Sequence, residues 1–99
     1  MSVSVASAQL NADKYISLAR ADLEEQNHSL AIQRLNFALK TSPYNVEAFF
    51  LRAMAKHQLS DYSGAVIDYS HCIRLAPTSA AAYQNRGLSR AKMGDNKNA

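Results

Sequence analysis

Apolar and small residues recur along the chain with the spacing of amphipathic helices. The stretch from Tyr62 to Ile73 shows this best, because its apolar positions fall three or four residues apart and share one helix face. Asp61 can accept backbone N–H bonds where this helix starts, and Pro77 ends it because proline cannot continue a helix. The pattern predicts helices near residues 11–25, 28–41, 45–58, 62–75 and 79–93, with residues 1–10 as a loose arm or an extension of the first helix.

The same pattern returns after 34 residues. At this shift Ala65 corresponds to Ala31, and Pro77 corresponds to Pro43. Other matches in size or chemistry are Phe49 with Tyr15 and Tyr83, Ala53 with Ala19 and Gly87, and Cys72 with Ala38. So many matches at one shift indicate an internal repeat. The chain therefore resembles tetratricopeptide repeat proteins, whose 34-residue unit is a helix–turn–helix.

The resemblance implies an all-α fold, a right-handed α-solenoid of antiparallel helix pairs with about five helices. It implies an N-terminal arm (1–11), a first repeat (12–45), a second repeat (46–79) and the first helix of a truncated third repeat (80–99). Small residues let paired helices approach closely, as we expect for Ala53 and Ala65. No pair buries its apolar face alone, so each repeat stabilises the next.

Composition fits this interpretation. The 99 residues are 47% hydrophobic and include only three glycines and two prolines, which favours one small helical domain. The single cysteine, Cys72, excludes an intramolecular disulfide and a cysteine-cluster zinc site. We see no signal peptide and no run of the ~18 apolar residues that a membrane span needs, and we expect a soluble, cytoplasmic protein without a membrane partner.

The charge is mildly asymmetric. The net charge is +3, and the second half of the chain carries most of the excess of lysine and arginine. Nucleic-acid-binding proteins usually show a denser basic patch. We therefore interpret the asymmetry as solvated helix faces and expect no nucleic-acid partner.

No pattern of residues predicts catalysis. His71 and Cys72 are adjacent, so on a helix they point about 100° apart and do not pair as base and nucleophile. The sequence has no phosphate-binding glycine loop and no His-x-x-x-His pair, so we predict no enzyme, no metal and no cofactor. Asp68 is either the ion-pair partner of Arg52 or Arg86, or a solvated carboxylate.

The resemblance also implies a binding surface. In the family, the first helix of each pair lines the concave side of the solenoid and holds a peptide or helix. Carried over position by position, the candidate groove residues are Ile16, Arg20, Leu23, Glu47, Phe50, Met54, His57, Gln84 and Leu88. Its apolar members, Ile16, Phe50, Met54 and Leu88, would form an exposed strip of the kind that often marks a binding site. The alternative is that the N-terminal arm, an absent segment or a second copy covers this face.

One specific family ligand is excluded by the residues present. Family members that bind the C-terminal carboxylate of heat-shock chaperones use a clamp of lysine, asparagine and arginine. The five clamp positions are occupied here by Ile16, Arg20, Leu51, Ala81 and Asn85, none of which is the required residue. The resemblance therefore does not imply a co-chaperone.

We conclude from the sequence that the chain is a non-catalytic protein–protein interaction module. The main alternative is a structural segment that assembles with itself or with the rest of a longer chain, and nucleic-acid binding through the basic half ranks third. The third repeat stops at its twentieth position, so we expect a fragment of a longer repeat protein. We also expect self-association through the face of the last helix that carries Tyr83 and Gly87.

Overall fold

The fold is all-α, as the sequence predicts. The computed structural model describes residues 5–98, and side chains from residue 6 to residue 95. The described residues form five helices and no strand: α1 (Val5–Glu24), α2 (His28–Thr41), α3 (Val46–Gln58), α4 (Tyr62–Leu75) and α5 (Ala80–Asn98). The predicted bounds agree with the observed ones within one residue for α2, α3 and α4.

The two outer helices are longer than expected. α1 begins at Val5, so the described part of the expected arm is an extension of the first helix. α5 runs through Gly94 to Asn98, although the repeat pattern places a turn near its last residues. The helix continues without interruption through this region, with its N–H groups bonded to carbonyls four residues earlier.

Successive helices are joined by turns that repeat with the same 34-residue period. Gln26 and Ser60 both adopt left-handed backbone conformations, with φ of 64° and 65°. Each is followed by a residue whose N–H closes the turn: Asn27 bonds the Asp22 carbonyl and Asp61 bonds the Lys56 carbonyl, both at 2.8 Å. The period first seen in the sequence is therefore also a period in backbone geometry.

Small residues lie where the helices meet. Ala19 and Ala31 belong to one buried cluster, and Ala53 and Ala65 belong to another with Tyr69. Each pair joins the two helices of one antiparallel unit, α1 with α2 and α3 with α4. α2 also packs on α3, and α4 packs on α5, so each unit is covered by the next.

A buried ion pair ties α3 to α4. Asp68 is fully buried and accepts hydrogen bonds from Arg52 Nε at 2.9 Å and Arg52 Nη2 at 2.8 Å. Lys56 Nζ lies 3.1 Å from the same carboxylate. The ion-pair interpretation of Asp68 is thus correct with Arg52, whereas Arg86 donates to Ser70 Oγ at 3.2 Å.

Candidate functional site

The polar residues predicted for the groove on α1 and α3 bind each other. Arg20 Nε donates to Glu47 Oε2 at 2.8 Å, and Arg20 Nη2 bonds the same oxygen. The hydrogen bond and the negative charge of Glu47 raise the pKa of Arg20 above its ordinary value. Both side chains are about half exposed, so this pair lies at the surface and bridges the two helices.

One member of the expected apolar strip, Ile16, lies inside the protein, which corrects the expectation that its side chain is exposed. Ile16 is only 2% exposed and belongs to the same buried cluster as Ala12 and Ala19. Phe50 is half-buried and packs its ring edge-on against Tyr69, with ring centroids 5.5 Å apart. Ile16 therefore offers no free surface to a partner, whereas Phe50 keeps part of its side chain accessible.

Two further predicted groove residues, Leu23 and Gln84, lie outside the cavity that the remaining candidates line. Leu23 is partly buried against the cluster that contains Ile16. Gln84 is exposed on α5 but does not line the cavity described next. The predicted surface is therefore not one continuous strip from α1 to α5.

The remaining candidates meet at a cavity between α3 and α5. It has a volume of about 230 Å³ and is called the α3–α5 cavity below. Its lining residues are Met54, His57, Gln58, Tyr69, Asn85 and Leu88. Met54 and Leu88 are 38% and 55% exposed, so the cavity opens to solvent past two aliphatic side chains.

His57 is held in place at the wall of the α3–α5 cavity. Its Nδ1 atom lies 2.8 Å from Ser89 Oγ, and Ser89 is fully buried on α5. The edge of the His57 ring also contacts Tyr62 at the start of α4, with ring centroids 5.1 Å apart. The imidazole therefore joins α3 to both following helices, and its position is set by the fold.

Tyr69 reaches the α3–α5 cavity from α4, between the two helices that form its walls. The side chain is buried, and this burial raises the pKa of Tyr69 to about 12, with a hydrogen bond from Asn85 acting in the opposite direction. In the sequence, Tyr69 falls within the stretch from Tyr62 to Ile73 whose apolar positions share a helix face, and Asn85 stands only at a position of the chaperone clamp. The helical spacing of Met54, His57 and Gln58 was the signal that could have drawn attention to this end of α3.

The described residues offer little reactive chemistry. Burial raises the pKa of the Cys72 thiol to about 11, and its sulfur lies 3.6 Å from the Val46 carbonyl oxygen. Within residues 5–98 no three side chains of histidine, cysteine, aspartate or glutamate come together as metal ligands. No helix in this range is long and apolar enough to cross a membrane. The arrangement at the α3–α5 cavity is suited to binding.

Comparison with known proteins places the chain among helical repeat proteins. No family model matches it. It is 30% identical to the solved Arabidopsis OM64 TPR domain, with a TM-score of 0.80 over 82% of this chain and 67% of that one. It is also 32% identical over 82 residues to the human mitochondrial import receptor subunit TOM70, a match that covers 83% of this chain. The chain spans only 14% of the length of TOM70.

Proposed function

Because the chain belongs to the tetratricopeptide repeat family, we propose that it is a protein-interaction module that binds a partner peptide at the α3–α5 cavity. The observation that carries this proposal is that the α3–α5 cavity combines exposed apolar side chains with a polar side chain whose orientation is fixed. Met54 and Leu88 present apolar surface to solvent, and His57 is oriented by Ser89. Apolar pockets with a few fixed polar groups are the usual sites of ligand recognition in proteins.

TOM70 is by name a mitochondrial import receptor subunit. We extend that receptor-like role to this chain at the level of partner class only: a polypeptide. Binding to nucleic acid is less well supported, because two of the cations in the basic half, Arg52 and Lys56, are both paired with the buried carboxylate of Asp68.

The proposal is tested by selecting a phage-displayed library of random 12-residue peptides on the full chain. Selected peptides are then measured against the double variant Met54→Glu, Leu88→Glu, in which two exposed side chains at the cavity become acidic. We expect binding to weaken at least about tenfold, because truncating a central contact typically costs about 2 kcal/mol or more.

A matched control exists on α4. Ile67 and Leu75 are 58% and 38% exposed and do not line the α3–α5 cavity, so Ile67→Glu, Leu75→Glu introduces the same charges elsewhere. This control should bind selected peptides as the unaltered chain does. Peptides that bind both double variants equally well would contradict the proposal. If the library yields no peptide while the chain self-associates in light scattering, the self-assembly alternative is favoured instead.

A further inference from the structure

We infer that the α3–α5 cavity takes one uncharged aliphatic side chain of the partner peptide, of the size of leucine or methionine, and rejects acidic side chains. The inference rests on the proposed function, since it assumes that a peptide is presented at this cavity. It adds the chemical class of the residue that anchors the peptide.

The size of the α3–α5 cavity limits its occupant. Its volume of about 230 Å³ lies below the ~300–1,000 Å³ that is usual for sites of whole small molecules. The space therefore suits a single side chain that enters from a peptide lying across the opening.

The walls of the cavity carry no lysine, arginine, aspartate or glutamate. Met54 and Leu88 supply aliphatic surface, and buried Tyr69 supplies an aromatic floor. A carboxylate that entered this space would lose part of its hydration without gaining a lysine or arginine partner, which is costly. Transfer of an aliphatic side chain into the same space is favourable, by about 25 cal/mol of free energy for each Å² of apolar surface removed from water.

The two cations of α3 contact Asp68 and do not line the cavity. Arg52 and Lys56 both bind the buried carboxylate of Asp68. On α5, Arg90 and Lys92 do not line the cavity. An acidic side chain in the cavity would therefore have no lysine or arginine beside it, because Arg52 and Lys56 contact Asp68 instead. A neutral side chain is favoured for this reason.

One polar group at the cavity can still recognise the peptide backbone. Asn85 is engaged by Tyr69, and His57 is engaged by Ser89. The Gln58 amide, in contrast, has no hydrogen-bond partner among the side chains that the structure describes, and it lies at the exposed end of α3. It can pair with a peptide group next to the inserted side chain, as an amide pairs with an amide.

Disulfide trapping tests the inference without a known partner. Gln58→Cys places a thiol at the rim of the cavity, and two probes compete with 2-mercaptoethanol for it. The probes are the mixed disulfides of 2-mercaptoethanol with N-isovaleryl-cysteamine, which carries an isobutyl group, and with N-succinyl-cysteamine, which carries a carboxylate. Cys72 should not react, because it is fully buried and burial raises its pKa to about 11.

Ala21→Cys is the matched control, since Ala21 is exposed on α1 and does not line the cavity. We expect the isobutyl probe to exceed the carboxylate probe at position 58 by at least about fivefold relative to their ratio at position 21. Adding Leu88→Glu to the Gln58→Cys variant should remove this preference. Intact-mass spectrometry measures the modified fraction.

Equal trapping of the two probes at position 58, or preferential trapping of the carboxylate, would overturn the inference. Such a result would leave the proposed function standing, because peptide binding is decided separately by the selected peptides and the Met54→Glu, Leu88→Glu variant. If those peptides are insensitive to the double variant, the proposed function fails instead, whatever the trapping shows.

Discussion

At the scale of single residues, the chain uses its ion pairs in two ways. Asp68 is fully buried. It accepts two hydrogen bonds from Arg52 and forms an ion pair with Lys56. The Arg20–Glu47 pair is about half exposed on both sides. Burial decides how much each pair contributes to the free energy of unfolding, because water screens the attraction between exposed charges.

This difference gives a prediction about stability. Asp68→Ala should lower the free energy of unfolding by about 3 kcal/mol, because it leaves Arg52 and Lys56 without their partner in a partly buried site. Glu47→Ala removes the partner of Arg20 at the surface and should cost only ~0–1 kcal/mol. Urea unfolding followed by circular dichroism measures both, and equal losses for the two variants would refute this view of Asp68.

Ile16 and Phe50 show why the site could be predicted only in part. The sequence contained a hint for Ile16, since Ala12, Ile16 and Ala19 are four and three residues apart and therefore share a helix face. How far the buried face of α1 extends depends on where α3 packs against it. This packing is set by the tertiary structure and cannot be read from the local sequence. The same holds for Phe50, whose ring is covered by Tyr69 from another helix.

At the scale of elements, capping explains the sequence at the start of α4. Asp61 accepts a hydrogen bond from the Gly64 N–H at 3.0 Å and so caps the helix. A Cβ atom added to Gly64 would lie 2.3 Å from an Asp61 carboxylate oxygen. Glycine leaves room for the capping carboxylate in its observed position, whereas alanine there would require the Asp61 side chain to shift.

A double-mutant cycle tests this coupling. Asp61→Ala alone should cost about 1 kcal/mol, the usual loss for a helix cap. Gly64→Ala alone should bring no gain, because its methyl group displaces the capping side chain. In the Asp61→Ala background the same change should stabilise the protein by about 0.5–1 kcal/mol, since the clash is gone and alanine favours the helix. Additive effects in thermal unfolding would contradict the account.

Helix bounds were predicted well where the sequence marks both ends. α2 and α4 begin and end at the predicted residues. A proline stands two positions after the end of each helix, and Asp61 caps the start of α4. Residues 94–99 contain no proline, and α5 extends through Gly94 beyond the expected end. A single glycine only weakens a helix, so this end was not fixed by local sequence.

At the scale of the whole molecule, the described chain is an elongated stack of 51 × 29 × 21 Å. Its closest contacts join helices that are neighbours in sequence, as in repeat proteins generally. The α3–α5 cavity takes its lining from α3, α4 and α5, so no single antiparallel pair contains it. The binding site we propose therefore forms only when α5 packs against the pair of α3 and α4.

The central claim is that a partner peptide binds at the α3–α5 cavity, and nuclear Overhauser effects between peptide and protein test it most directly. A peptide from the selected library is added to chain that carries ¹³C-labelled methionine and leucine methyl groups. We predict contacts from one aliphatic side chain of the peptide to the Met54 and Leu88 methyl groups. Contacts that fall instead on Leu30, Leu59 or Leu75, which are exposed outside the cavity, would contradict the claim.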